Sequence, residues 1–160
     1  MEDIKVGMAD LAATIAPQNL VTIGLGSCVG ICLYDKATKV GGLAHIMLPD
    51  STQGRTMQNK AKYADTAIEV LLEEMTKLGA QKRRITAKIA GGAQMFNFSG
   101  NNNSMKIGER NVIAVKEELK RQGISLLAED TGENFGRTIK FDTSDGSLGI
   151  KTGNRGEKTI

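Results

Sequence analysis

Tryptophan is absent from the 160 residues, and aromatic side chains make up only 4% of them. A core must therefore be built from aliphatic side chains and methionine. Histidine occurs once and cysteine twice. Two cysteines make no disulfide framework. Two thiols and one imidazole also fall short of the roughly four N/S ligands of a structural zinc site. Neither sign of charge dominates, the formal net charge being +3. No Lys/Arg cluster is interleaved with aromatics, which sets nucleic-acid binding aside. The longest apolar run, Leu20 to Tyr34, is broken by three glycines and a serine. It is shorter than the roughly eighteen apolar residues of a membrane helix, so no membrane insertion is expected. The opening MEDIKVGMAD is acidic and has no signal-peptide h-region. These absences lead to the expectation of a cytoplasmic protein with reduced thiols, in which any histidine-dependent chemistry rests on His45.

The length suits one domain over residues 1–160, with a polar tail at 152–160 expected to fray. An Ala-rich stretch, MADLAATIAP, ends at Pro17. Three strands are predicted at Leu20–Leu25, Val29–Tyr34 and Val40–Met47, the first two nearly all apolar, as strands buried on both faces are. The polar Asp35–Lys39 segment has hairpin-loop length. A helix is predicted over Ala61–Leu78, where Ala64, Ala67, Ile68, Leu71, Leu72, Met75 and Leu78 fall on one face and Gly79 ends the run. RITAKIAG reads as a strand, and the Gly/Asn-rich GGAQMFNFSGNNNSMK as a functional loop. Within it Met95, Phe96 and Phe98 are expected to be partly buried. GERNVIAVKEELKRQG reads as a second amphipathic helix, and ISLLAED, RTIKFDT and SLGIK as short strands. Strands outnumber helices and are irregularly interrupted by them, which gives the α+β class.

The chemistry-bearing residues concentrate in TIGLGSCVGICLY and AHIML. If Tyr34 stands opposite Val40 in an antiparallel hairpin, Cys28 falls opposite Ile46 and next to His45. A one-residue shift then sets Cys28 directly opposite His45, with Cβ atoms about 4.5–5.5 Å apart. Cys32, roughly 13 Å further along the strand, is out of reach and reads as core packing. Thr22 is placed to hold the other imidazole nitrogen through its hydroxyl or carbonyl, as a third group does in catalytic triads. Backbone N–H groups of the turn at Gly26 and Ser27 are candidates for an oxyanion site. The residue types alone leave Cys28 open between buried filler and nucleophile. GSCVG has the form of a nucleophile elbow, but a strand follows it where that motif needs a helix. GGAQMF lacks the GK[ST] of a phosphate loop.

TIGLGSCVGICLYD, GGLAHIMLP, KYADTAIEVLLEEM, KIAGGAQMF, IGERNV and FGRTIKFD occur in an order and spacing that resembles the CheD family of chemotaxis proteins, over about Ile4 to Lys151. The resemblance implies a chemoreceptor glutamine deamidase, which hydrolyses glutamine side chains on methyl-accepting receptors to glutamate and in some members acts on glutamate methyl esters. It implies a layered α/β sandwich with a mixed sheet core flanked by helices, similar to the cytotoxic necrotizing factor deamidases. It implies a triad of Cys28, His45 and Thr22, no metal or other cofactor, and two partners: the receptor cytoplasmic domain and a CheC-type phosphatase. One position departs. The family pattern is roughly D-x-G-G-x-x-G-R, and DTGENFGR has Glu133 in place of the second glycine. A non-enzymatic regulator and a different thiol amidase are the rival readings.

Overall fold

The structure, a computed structural model, describes residues 2–53, 59–95 and 106–160. The described elements are ten strands and two α-helices, with short 3₁₀ turns between some of them. The strands are β1 (Ile4–Lys5), β2 (Asp10–Ile15), β3 (Asn19–Leu25), β4 (Val29–Asp35), β5 (Val40–Ile46), β6 (Ile85–Gly91), β7 (Ser125–Thr131), β8 (Arg137–Asp142), β9 (Ser147–Lys151) and β10 (Glu157–Thr159). The helices are α1 (Ala64–Lys77) and α2 (Ile107–Arg121). The class is α+β, as expected.

The strands form two five-stranded sheets, in the orders β1-β3-β8-β9-β10 and β2-β5-β4-β6-β7. Each is mixed: β1 runs parallel to β3, and β7 parallel to β6, with antiparallel neighbours elsewhere. Both helices pack on one face of the second sheet, α1 over β5 and β2, α2 over β4, β6 and β7. The first sheet covers the other face. The arrangement is thus a layered sandwich of mixed sheets, as expected, in the order helix, sheet, sheet, with the helices on one side only. Strands β4 and β5 sit in the middle layer, and all their residues are buried.

Side-chain alternation sorts the middle layer into two cores. Val29, Ile31, Leu33, Ala44 and Ile46 face the helices and meet Ala67, Ile68, Leu71 and Met75. Cys28, Cys32, Tyr34 and Leu43 face the first sheet and meet Leu20, Leu25, Ile139 and Phe141. The Gly41–Gly42 pair of β5 shows how closely the layers approach. A Cβ on Gly41 would lie 2.8 Å from the Thr143 side chain, and one on Gly42 would lie 2.7 Å from that of Leu71. Either contact is shorter than real Cβ atoms make, so larger residues would push a layer away.

Helix α1 starts three residues later than the periodicity predicts, because Lys60–Lys62 forms a separate 3₁₀ turn. It ends at Lys77: Leu78, expected on the buried face, is the exposed C-cap, and Gly79 follows in the left-handed region at φ +105°. Two segments differ from expectation. Asp10–Ile15, read only as an Ala-rich stretch, is an edge strand paired along its length with β5. The tail, expected to fray, carries a strand: β10 pairs with β9, the Leu148 and Ile160 backbones exchange two hydrogen bonds, and Lys88 Nζ donates to Ile160 O. Among the described residues no helix is long and apolar enough to cross a membrane.

Candidate active site

Strand β3 belongs to the first sheet and β4 to the second, so the Gly26–Cys28 connection carries the chain across the interlayer space. A bulge between Thr22 and Leu25 turns the end of β3, with Gly24 at φ +78°, a conformation that costs glycine little. The connection is tied down through three consecutive carbonyls. Gly26 O accepts from Ala93 N–H at 2.9 Å, Ser27 O from Asn111 Nδ2 at 2.9 Å, and Cys28 O from Gly92 N–H at 2.8 Å. The Gly26 N–H donates to Gly24 O at 3.1 Å, which leaves Ser27 as the freer of the two residues expected to line an oxyanion site. Met95 is largely exposed, yet its side chain lies over Gly26. Phe96 and Phe98 lie outside the described residues.

The β4–β5 register differs from expectation by one step. Asp35 pairs with Val40 and Gly30 with His45, where Tyr34 opposite Val40 was assumed. The cause is the turn: Lys39 takes φ +59° and its N–H donates to Asp35 O at 2.7 Å, so Asp35 belongs to the strand. Continued one pair past Val29–Ile46, this register sets Cys28 against Met47 and puts His45 on the diagonal. Diagonal neighbours on one face lie about 7–8 Å apart, within reach of a long or ring side chain. Opposite His45, Gly30 has no side chain to compete for the interlayer space.

His45 and Thr22 are both buried, at 0% and 2% exposure, and come together across the layers. Thr22 Oγ1 lies 2.7 Å from His45 Nδ1 and donates its own proton to Val6 O, also at 2.7 Å. A hydroxyl has one proton to give. With that proton on Val6, Oγ1 accepts from Nδ1–H, and the imidazole is the Nδ1–H tautomer with its lone pair on Nε2. Among the described residues Nε2 finds no hydrogen-bond partner, although it is buried. Burial pushes the His45 pKa below its ordinary value. Burial also pushes the Cys28 thiol up, opposed by a hydrogen bond from the residue's own backbone N–H. Cys28 is 7% exposed and Cys32 is 1% exposed. The Cys32 thiol is raised far above the usual range by burial, against the opposing charge of Lys88 across the β4–β6 ladder. The directions for His45 and Cys28, like that for Cys32, favour the neutral form at neutral pH.

Two buried polar residues of this region carry no signal that sequence reasoning recognised. Asn111 looks like the polar side of an amphipathic helix, yet it is fully buried and holds Ser27 O and Met47 O. Arg137 is 2% exposed, pairs with Asp130 and donates from Nη1 to Gly132 O at 3.0 Å, while its guanidinium lies 4.7 Å from the Phe135 ring centroid. These contacts shape the Gly132–Gly136 loop. Within it Glu133 takes φ +62°, the left-handed region that favours glycine, and its carbonyl accepts from Gln94 N–H at 2.9 Å. The one position where the sequence departs from the glycine pattern is thus one where a glycine would be at ease.

A family model described as CheD chemotactic sensory transduction matches residues 47–152. A protein of Syntrophomonas wolfei named "Probable chemoreceptor glutamine deamidase CheD" is 57% identical over 98% of this chain and 98% of its own. Proteins of the same name from Caldanaerobacter subterraneus and Clostridium novyi are 57% and 54% identical, over 98% and 99% of this chain and 97% and 98% of their own. With the family model matched over more than half the chain and such relatives along nearly all of it, this protein belongs to the CheD family.

Proposed function

We propose that this chain is a chemoreceptor glutamine deamidase, a cysteine hydrolase in which Cys28 is the nucleophile, His45 the base and Thr22 the residue that orients it. One observation carries the reading: a buried imidazole whose Nδ1–H is held by Thr22 and whose Nε2 lone pair is unspent, on the strand paired with the one that follows Cys28. A nitrogen in that state is an acceptor waiting for a proton, which is what a general base is.

The pKa directions favour a neutral thiol and a neutral imidazole over a standing ion pair. The thiol proton moves to His45 Nε2 as sulfur attacks the glutamine carboxamide carbon. The carbonyl oxygen becomes an oxyanion. Trans peptides set N–H and C=O antiparallel. The carbonyls of Gly26 and Ser27 are anchored on Ala93 and Asn111, so the N–H groups of Ser27 and Cys28 point the other way. They are the donors we assign to the oxyanion. When the intermediate collapses, the C–N bond breaks and His45 Nε2–H protonates the leaving nitrogen, which departs as ammonia. Water then attacks the thioester as His45 takes its proton, the C–S bond breaks, and His45 returns that proton to sulfur, which gives the free thiol and a carboxylic acid that ionises to glutamate. The receptor gains one negative charge. Glutamate methyl esters would follow the same path with methanol leaving.

The reading also includes a cytoplasmic location, the receptor cytoplasmic domain and a CheC-type phosphatase as partners, and a likeness of the layered fold to the cytotoxic necrotizing factor deamidases. Intact-mass measurement of a receptor cytoplasmic fragment tests it, with Cys28→Ala as control. Deamidation raises the mass slightly by exchanging NH₂ for OH. An unchanged mass with co-elution would make the chain a binding regulator, and a split fragment would make it a protease.

A further inference from the structure

We propose that Asn111 is a positioning residue for the reaction, one that fixes the direction of the Cys28 N–H and the gap between the nucleophile turn and the strand carrying His45. The inference rests on the cysteine-hydrolase reading above.

The β4–β5 ladder ends at Val29 and Ile46, one pair short of Cys28 and Met47. Backbone pairing thus stops just before the nucleophile. Asn111 supplies the bridge there. Its Nδ2 donates to Ser27 O at 2.9 Å and to Met47 O at 3.0 Å, using both amide hydrogens on the two sides of the gap. Both neighbours are acceptors, so the orientation of the amide is fixed by chemistry. The side chain is fully buried, and its Oδ1 has no partner among the described residues. A buried amide with an unsatisfied oxygen costs stability that an apolar side chain would not, unless its two donated bonds are needed.

The consequences reach both catalytic groups. With Ser27 O held on Asn111, the antiparallel peptide geometry turns the Cys28 N–H away from the helix, toward the side on which Cys28 packs. That N–H is also the group that lowers the thiol pKa against burial. On the other side, Met47 lies two residues past His45, so the same amide limits how far the base strand can drift. Helix α2 is seated closely enough for this. A Cβ on Gly108 would meet Ala93 O at 2.4 Å and Gly92 O at 2.6 Å. The first turns of α2 therefore abut the segment that itself holds Gly26 O and Cys28 O.

The test is Asn111→Ala, assayed on a receptor cytoplasmic fragment by ammonia release and by the pH profile of iodoacetamide alkylation of Cys28. The expected result is a kcat reduced about 10²-fold, as for a misplacement of about 1 Å, with KM within about twofold. The alkylation profile shifts to higher pH as the Cys28 N–H loses its direction. An unchanged kcat, or an alkylation profile that stays put while only the melting temperature falls, would make Asn111 a structural residue and overturn the proposal. Should the alanine variant not fold, Asn111→Ser, which keeps one donor, is read by the same two measurements against the same criteria. Cys28→Ala separates the two levels. Activity surviving in that variant removes the nucleophile assignment and this inference with it. Loss in Cys28→Ala with full kcat in Asn111→Ala removes this inference alone.

Discussion

Thr22 Oγ1 accepts from His45 Nδ1 and donates to the Val6 carbonyl, which makes one hydroxyl the switch that sets the imidazole tautomer. Thr22→Val keeps the shape and removes the relay. The expected outcome is a kcat lowered about 10- to 100-fold with KM little changed, since orientation of the base is lost and binding is not. Thr22→Ser, which retains the hydroxyl, should recover most of the rate. Steady-state kinetics on a receptor fragment decide it, and an unchanged rate in Thr22→Val would reduce Thr22 to a packing residue.

The two thiols should separate by reactivity. Cys28→Ala and His45→Ala are expected to abolish deamidation, whereas Cys32→Ala largely retains it. Peptide mapping after brief iodoacetamide treatment should find label on Cys28 first, with the rate rising as pH rises, because the Cys28 thiol must ionise. Equal, slow labelling of both cysteines would contradict an activated site.

The depressed His45 pKa fixes the sign of two pH effects. The proposed mechanism needs the neutral imidazole, so the acid limb of kcat/KM should lie below the ordinary histidine range and the rate should be level at neutral pH. Stability follows the same group. Between the folded and unfolded pKa values the unfolded chain binds more protons, so the stabilising contribution of neutral His45 is lost as pH falls below about 6.5. Denaturation midpoints between pH 7 and 5 should fall more steeply in the wild type than in His45→Gln.

Glu133 stands in the left-handed region at φ +62°. A non-glycine residue there costs about 1–2 kcal/mol, and glycine gives back about 0.4–1 kcal/mol through its freer unfolded chain. Glu133→Gly should therefore raise stability by about 0.5–1 kcal/mol in urea titration. A fall would mean that the Glu133 side chain makes contacts worth more than the strain.

Asp35 is fully buried and receives Arg84 Nε and Nη2, with further N–H bonds from Ala37 and Gln81. Burial acts to raise its pKa, but these donors win and hold it far below the carboxylate range. Arg84→Ala leaves that buried carboxylate without its cation and should lower the urea midpoint. Arg84→Ala combined with Asp35→Asn should cost less than the single change, a result a double-mutant cycle reads directly.

Much of this architecture was legible from local pattern. The apolar runs in Val29–Tyr34 and Val40–Met47, the one-sided periodicity of Ala64–Met75 and the glycine stops are local signals, and the corresponding elements are found. What escaped depends on partners distant in sequence. Asp10–Ile15 has little β-propensity of its own and is a strand because β5 offers it an edge. The Glu157–Thr159 strand is wholly exposed and polar, held by β9. The hairpin register slipped by one because a left-handed Lys39 tightens the turn, and nothing in "DKATK" announces that. At the candidate site, residue scarcity singled out His45, hairpin counting set Cys28 rather than Cys32 near it, and the family motifs agreed on both and on Thr22. Asn111 and Arg137 were hidden because a buried amide or guanidinium in an amphipathic pattern looks like a solvent-facing one.

The two faces of the middle sheet divide the molecule's obligations. Val40, Ala44 and Ile46 serve the helix layer from the same seven-residue strand that turns His45 to the opposite side. Repacking against α1, for instance at Leu71 or Met75, should therefore act first on stability, since those side chains meet the face of the middle sheet turned away from Cys28 and His45. Exchanges at Leu25, Leu43 or Ile139 act on the space into which Cys28 and His45 project. One strand thus serves two cores, and the helix layer reaches the proposed chemistry at one point, the Asn111 amide that spans from α2 to Ser27 O and Met47 O.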